Sequence, residues 1–159
     1  MRAAVALLAA ILLVPACAGV DDATPRSTGS GTQGAQEVVV KTSDGEQHLS
    51  VRVADSDEER QQGLMGVRDL PANDGMAFVY DEPSTEAFWM KDTLLPLAIA
   101  FVDADGHILA IREMTPCAAE PCATYASPAP YMWAVEANSG WFSANGALVG
   151  DEAVLLEGG

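Results

Sequence analysis

The stretch FWMKDT, Phe88 to Thr93, sets an indole, an ammonium, a carboxylate and a hydroxyl side by side between two apolar runs. Trp89 has the flat face of a stacking platform. Lys91, Asp92 and Thr93, joined by Glu136 from WAVEAN if the chain folds back on itself, would be its polar anchors. An aromatic platform ringed by a few polar groups is the make-up of a shallow pocket for a saccharide or another polyol. The plainer account has Asp92 capping a turn, Lys91 solvated and Trp89 packed. A small hydrolase would need two titratable groups in one pocket with separated pKa values, and Asp92 with Glu136 is the candidate carboxylate pair. Alternation in WAVEAN puts Glu136 with Ala134 on one face and Trp133, Val135 and Ala137 on the other, so an outward-facing Glu136 is the ordinary expectation. No Gly-x-Ser-x-Gly elbow, phosphate-binding loop or His-Glu-x-x-His segment occurs.

A third chemistry is copper binding. Met65, Met76, Met90, Met114 and Met132, with His48 and His107, are soft or borderline ligands. Each of these methionines lies inside an apolar run, where methionine also serves as core filler, and no cofactor is expected. Cys117 and Cys122, in PCAAEPC, read as a disulfide closing a small loop. A zinc half-site and a redox pair are the rival readings. Zinc wants four ligands, and the chain offers two histidines besides, while redox pairs usually have the narrower Cys-x-x-Cys spacing.

The elements that would position these residues read mostly as strands. QHLSVRV alternates, with Leu49, Val51 and Val53 on one face and His48, Ser50 and Arg52 on the other. Met76–Tyr80, Pro96–Asp103, His107–Glu113, Tyr131–Ala137 and Ala153–Glu157 are five further candidates. Asp103 to Gly106 joins two of them through an Asp-Gly hairpin signal. One short helix is predicted, with Ser56 as N-cap, Glu59 completing a capping box, acidic residues at the positive end and Gly63 as terminator. NSGWFSANG reads as a loop or single helical turn. Short strands with turns between them predict one compact, mainly β domain with one or two short helices, an antiparallel β-sandwich or barrel.

Taken in order, ADSDEERQQGLMG, GMAFVY, FWMKDTLLPLAIAFVDADGHI, YMWAVEANSGW and the Gly150-Asp151 pair form a series that resembles the DUF192 family of uncharacterised, often exported prokaryotic proteins. The likeness covers nearly all of Val38 to Leu156. It implies a compact, jelly-roll-like, mainly antiparallel β domain, and it implies no activity. Two positions depart from the family pattern: Val67 stands where an arginine is usual, and Ala98 where an aspartate is usual. A buried ion pair missing as a unit would account for both.

The N-terminus reads as an address. Met1 and Arg2 precede an uncharged apolar run, Ala3 to Val14, with the pattern of a secretory signal. Twelve residues of helix span about 18 Å, short of the roughly 30 Å hydrocarbon core of a bilayer. LVPACAG then resembles a lipobox, which makes residues 1–16 a lipoprotein-type signal peptide and Cys17 the lipidated N-terminus. Ordinary signal cleavage, giving a secreted protein, is the alternative. Residues 17–36 are rich in Gly, Ser, Thr, Pro and Asp and read as a flexible tether reaching about 25 Å. Residues 37–159 are the β domain. Residues 1–16 carry one charge, that of Arg2, so their removal takes the net charge from −15 to about −16. A surface so acidic repels phosphates, and no nucleic-acid partner is expected. The combined expectation is an exported accessory or ligand-binding domain, held to the extracytoplasmic membrane face by lipid on Cys17, with an envelope saccharide or protein as partner.

Overall fold

In the computed structural model, residues 36–157 are described. The expected signal peptide, Cys17 and nearly all of the expected tether lie outside the described residues. The element order is β1 (Gln36–Thr42), β2 (Gly45–Ala54), α1 (Asp57–Gln62), β3 (Asp74–Ser84), β4 (Phe88–Trp89), β5 (Leu97–Val102), β6 (Ile108–Met114), β7 (Thr124–Tyr125), β8 (Tyr131–Asn138), α2 (Trp141–Ala144) and β9 (Glu152–Leu156). The domain is mainly β, as its alternating runs predict. Seven strands form one sheet in the order β6-β5-β8-β3-β2-β1-β9, and β4 pairs with β7 in a separate two-stranded ribbon.

The sheet curls into a half-barrel. Its two edge strands approach each other at one end, where the Ile108 amide donates to the Asp151 carbonyl (2.9 Å) and the Ala153 amide to the Gly106 carbonyl (2.8 Å). Every adjacent pair runs antiparallel except β2 with β3, which run parallel. Parallel neighbours need a crossover rather than a hairpin. Here residues 55–73, including α1, make that crossover. The sheet is thus mainly antiparallel, as expected, with one parallel joint.

Local chemistry explains the helix. Ser56 accepts from the Glu59 amide, and the Glu59 carboxylate accepts in return from the Ser56 amide, so the capping box is complete. Gly63 ends the helix at positive φ. No residue of α1 is buried; Arg60 instead pins it to the sheet. The guanidinium donates to the carbonyls of Asp55 (2.6 Å) and Val79 (2.7 Å) and to the Asp57 carboxylate, and lies 4.8 Å from the Tyr80 ring centroid. The rest of the crossover is held from β8 and α2. The Asn138 amide donates to the carbonyls of Leu70 and Pro71, and the Trp141 indole N–H to Asn73. The Asp103–Gly106 turn forms as expected, with the Asp103 carboxylate accepting from the amides of Asp105 (2.9 Å) and His107 (2.8 Å).

Both faces of the sheet are covered, which gives two cores. The concave interior is lined by Val38, Val40, Leu49, Val51, Val135 and Ala137, among others, and is plugged by Trp141 and Phe142 of α2. The convex face carries Met76, Phe78, Met90, Ile99, Phe101, Met114 and Tyr131. It is roofed by Leu64, Val67 and Leu70 of the crossover and by Phe88 and Tyr125 of the ribbon. Alternation along β5 separates the two sets cleanly: Leu97, Ile99 and Phe101 face the roof, and Ala98, Ala100 and Val102 face the interior. Ala98 therefore lies on one side of the sheet and Val67 on the other. An arginine and an aspartate at these two positions would be separated by the sheet, so the paired-loss account of the two departures does not stand.

A candidate functional site on the convex face

The ribbon raises Trp89 out of the roof. Phe88 and Met90 turn inward, Met90 being buried, and Trp89 remains 45% exposed, as alternation across Phe88-Trp89-Met90 predicts. Trp89 pairs with Thr124 and Phe88 with Tyr125. Beside the ribbon runs the loop closed by the Cys117–Cys122 disulfide, whose Cα atoms are 5.6 Å apart. The Cys117 amide donates to the Met90 carbonyl (3.2 Å). From the same loop Glu120 meets the Lys91 ammonium at 2.7 Å and draws the Lys91 pKa upward. That ammonium also lies 5.3 Å from the centroid of the Trp89 ring.

Between α1 and the ribbon is a cleft of about 360 Å³, walled by Asp57 and Arg60 on one side and by Tyr80, Glu86, Phe88 and Trp89 on the other. A smaller cavity of about 30 Å³ continues inward, sharing Arg60, Gln61, Phe88 and Trp89 with the cleft and ending on Thr93 and Glu136. By volume it holds about one water molecule. Phe88 anchors the wall through edge-on contacts with Phe78 (4.9 Å) and Phe101 (5.7 Å). The Tyr131 hydroxyl donates to the Glu86 carbonyl (3.0 Å), tying the approach to the ribbon to β8.

Glu136 is the chemically unusual member. It is 4% exposed, in register with Met76 of β3 and Ile99 of β5, both apolar. Sequence alternation has it right as a companion of Ala134 but wrong as an outward-facing residue, because the roof makes the convex face a second interior. Its carboxyl has no hydrogen-bond or ion-pair partner among the described residues, and burial alone pushes its pKa up to about 8. Burial thus favours its protonated, neutral form at pH 7. No side-chain oxygen or nitrogen among the described residues is both fully enclosed and unpartnered. The Glu136 oxygens are therefore not sealed in; they open on the inner cavity.

The five sequence candidates divide. Trp89, Thr93 and Glu136 come together around the inner cavity, while Lys91 and Asp92 line neither space. Asp92 is exposed and adopts a left-handed backbone (φ 55°), and its carbonyl accepts from the Gly66 amide at 2.9 Å. It is a corner residue, and the Asp92–Glu136 carboxylate pair is not assembled. Arg60, Tyr80 and Glu86 are wall residues that sequence reasoning missed; an arginine alone among the acidic residues of DEERQQ, and a tyrosine ending the GMAFVY run, were the available signals. The copper candidates divide between the core and the surface. Met76, Met90 and Met114 are sealed in the convex core, whereas His48 and His107 are exposed beside Glu37 and Asp103.

Two solved structures share the architecture. A protein from Sinorhizobium meliloti described as a candidate transcription regulator is 31% identical, with a TM-score of 0.72 over 80% of this chain and 98% of its own. A protein of unknown function from Novosphingobium aromaticivorans is 27% identical, with a TM-score of 0.70 over 74% of this chain and 83% of its own. No functionally curated protein matches. The family model described as "Uncharacterized ACR" matches residues 38–155, the whole sheet but for its outermost residues, and the chain thus belongs to the DUF192 family.

Proposed function

We propose that the protein is an extracytoplasmic ligand-binding domain, carried on a tether from a lipid-modified Cys17, whose ligand enters the cleft between α1 and the Trp89 ribbon. One observation supports the cleft above all. A carboxylic acid sits unpartnered at its floor, under an exposed indole, at a position that an apolar residue of similar size could fill. A bound partner would supply the hydrogen bonds that the protein itself does not give this carboxyl. The carboxylate pair expected of a hydrolase, Asp92 with Glu136, is not assembled, since Asp92 lines neither space. The name borne by the Sinorhizobium relative does not carry over, because a net charge of −15 opposes contact with nucleic acid. Export and anchoring rest on the N-terminal pattern.

Two experiments test the reading. Thermal shift of the full chain in detergent, against envelope saccharides, nucleotides and small amines, should reveal a ligand that stabilises the wild type; at one hundred times its Kd the gain is about 2.7 kcal/mol. The shift should vanish in Trp89→Ala. A shift that survives in Trp89→Ala would place the ligand elsewhere. Detergent-phase partitioning tests the anchor: Cys17→Ala should move the protein into the aqueous phase, and unchanged partitioning would exclude lipidation.

A further inference from the structure

Accepting the cleft as the ligand site, its charges narrow what the ligand can be. The outer walls carry Glu86 and the Asp57–Arg60 pair, and the floor carries Glu136. Arg60, the one cation lining either space, is already committed to two backbone carbonyls, to Asp57 and to the Tyr80 ring. It offers little to an anion. The apolar walls are Phe88 and Trp89, aromatic faces that attract cations. The Trp89 ring already has an ammonium near it, that of Lys91. At long range a chain of net charge −15 draws cations toward any cleft.

Size then selects among cations. The inner cavity of about 30 Å³ accepts a group the size of a water molecule. A primary ammonium fits; a quaternary ammonium with its methyl groups does not. A primary ammonium also supplies three donors to a carboxyl that has no partner among the described residues. The cleft of about 360 Å³ outside has room for the remainder of a small organic molecule.

We propose that the cleft binds the primary ammonium head of a small organic amine, seated on Glu136, with its carbon chain against Phe88 and Trp89. The proton balance is simple. The amine arrives as R–NH₃⁺, the Glu136 carboxyl releases its proton to solvent, and the product is an ammonium–carboxylate pair. Among the groups facing Glu136, Arg60 of α1 is the one other charge lining the inner cavity; β3 presents Met76, β5 presents Ile99, the ribbon presents Phe88 and Trp89, and Thr93 adds a hydroxyl. Proton release therefore belongs to Glu136. Affinity should rise with pH up to about 8, where Glu136 is ionised before the amine arrives.

The test is calorimetric titration of the full chain in detergent with 1,4-diaminobutane and ethanolamine, in two buffers of different ionisation enthalpy at pH 7. The matched diol and tetramethylammonium serve as comparison probes. Tryptophan fluorescence, taken as the difference from Trp89→Phe, reports occupancy of the cleft. Saturable amine binding should release close to one proton. It should weaken at least tenfold in Glu136→Gln, and the diol and tetramethylammonium should compete at least tenfold less well. If Glu136→Gln misfolds by circular dichroism, Glu136→Met replaces it. Diol binding as tight as diamine binding, with Glu136→Gln indifferent, would overturn the ammonium while leaving the cleft as a site for neutral ligands. Tetramethylammonium binding equally well would overturn the seat on Glu136. No Trp89 response to these amines would overturn the ammonium, and only the wider ligand screen failing as well would take the cleft reading with it.

Discussion

The two faces of one sheet have been put to different uses. Inside the half-barrel every core side chain is apolar, most are valine or alanine, and the strands themselves do most of the enclosing. Outside, the core is built of aromatic residues and methionines, roofed by a crossover and a two-residue ribbon, and it tolerates a carboxylic acid at its centre. Small β-branched residues pack to crystal-like density on a curved surface and leave nothing to adjust. Large aromatic side chains under an irregular roof leave gaps, and one of those gaps lies over Glu136. On the proposed reading, function belongs to the convex face and stability to the concave one.

The largest expected effect falls inside the barrel. Phe142 is 1% exposed and in edge-on contact with Trp141 (5.2 Å), so Phe142→Ala should cost about 3–5 kcal/mol by urea denaturation. Phe88→Ala, on the half-buried roof, should cost less than half as much while weakening any ligand of the cleft. Equal losses would erase the contrast between the faces. Gly75 tests the contact between β3 and β8 behind Glu136. A Cβ there would lie 2.2 Å from the Glu136 carbonyl and 2.9 Å from the Leu49 side chain. Since the first clash is with backbone, Gly75→Ala should cost about 1–3 kcal/mol. A neutral result would mean that the two strands part easily.

Glu136 itself gives the sharpest comparison because its sign differs. In the unfolded chain it titrates like an ordinary glutamate, near 4.3; folded, near 8. Below both values the acid is protonated in both states and has no effect. Between them the unfolded state has lost a proton that the native state keeps, so stability falls as pH rises, and above both values the loss is complete. Urea midpoints of the wild type and Glu136→Leu should therefore converge toward pH 4 and separate toward pH 8, with the variant the more stable and ligand binding abolished. Parallel profiles would mean that Glu136 is paired after all.

Sequence reading went furthest where local chemistry decides structure. The capping box at Ser56 and Glu59, the Asp103–Gly106 turn, the six expected strands and the Cys117–Cys122 bridge are all present. It fell short where the partner is distant. β1 was overlooked because Val38-Val39-Val40 runs without alternation, and all three are buried, since β1 lies between β2 and β9 with Val39 on the opposite face from its neighbours. The parallel β2–β3 joint was invisible because nothing in residues 55–73 distinguishes a crossover from a hairpin loop with a helix in it. Glu136 was misplaced for the same reason: period-two alternation tells which residues share a face, and only the roof, assembled from residues 64–70 and the ribbon, tells whether that face is wet.

The smaller predictions concern the rim. Opening the disulfide in Cys117→Ser, Cys122→Ser should cost about 2 kcal/mol by the loop-entropy relation, and it should free Lys91 from Glu120. Asp92 is expected to matter least, although it stands beside Lys91 and Thr93 in FWMKDT. Its left-handed backbone is strained for most side chains and is tolerated by aspartate and glycine. What the fold takes from it is a backbone conformation and a carbonyl, which Gly66 uses. Asp92→Gly keeps both, and should shift stability by no more than about 0.5 kcal/mol and leave ligand affinity unchanged. Asp92→Val keeps the carbonyl but not the conformation, and should cost about 1 kcal/mol or more. Were Asp92→Gly instead to abolish binding with the fold intact, the carboxylate would be acting on the ligand. The site would then extend over the rim past Lys91, and the separation of a structural corner from a functional floor would have to be withdrawn.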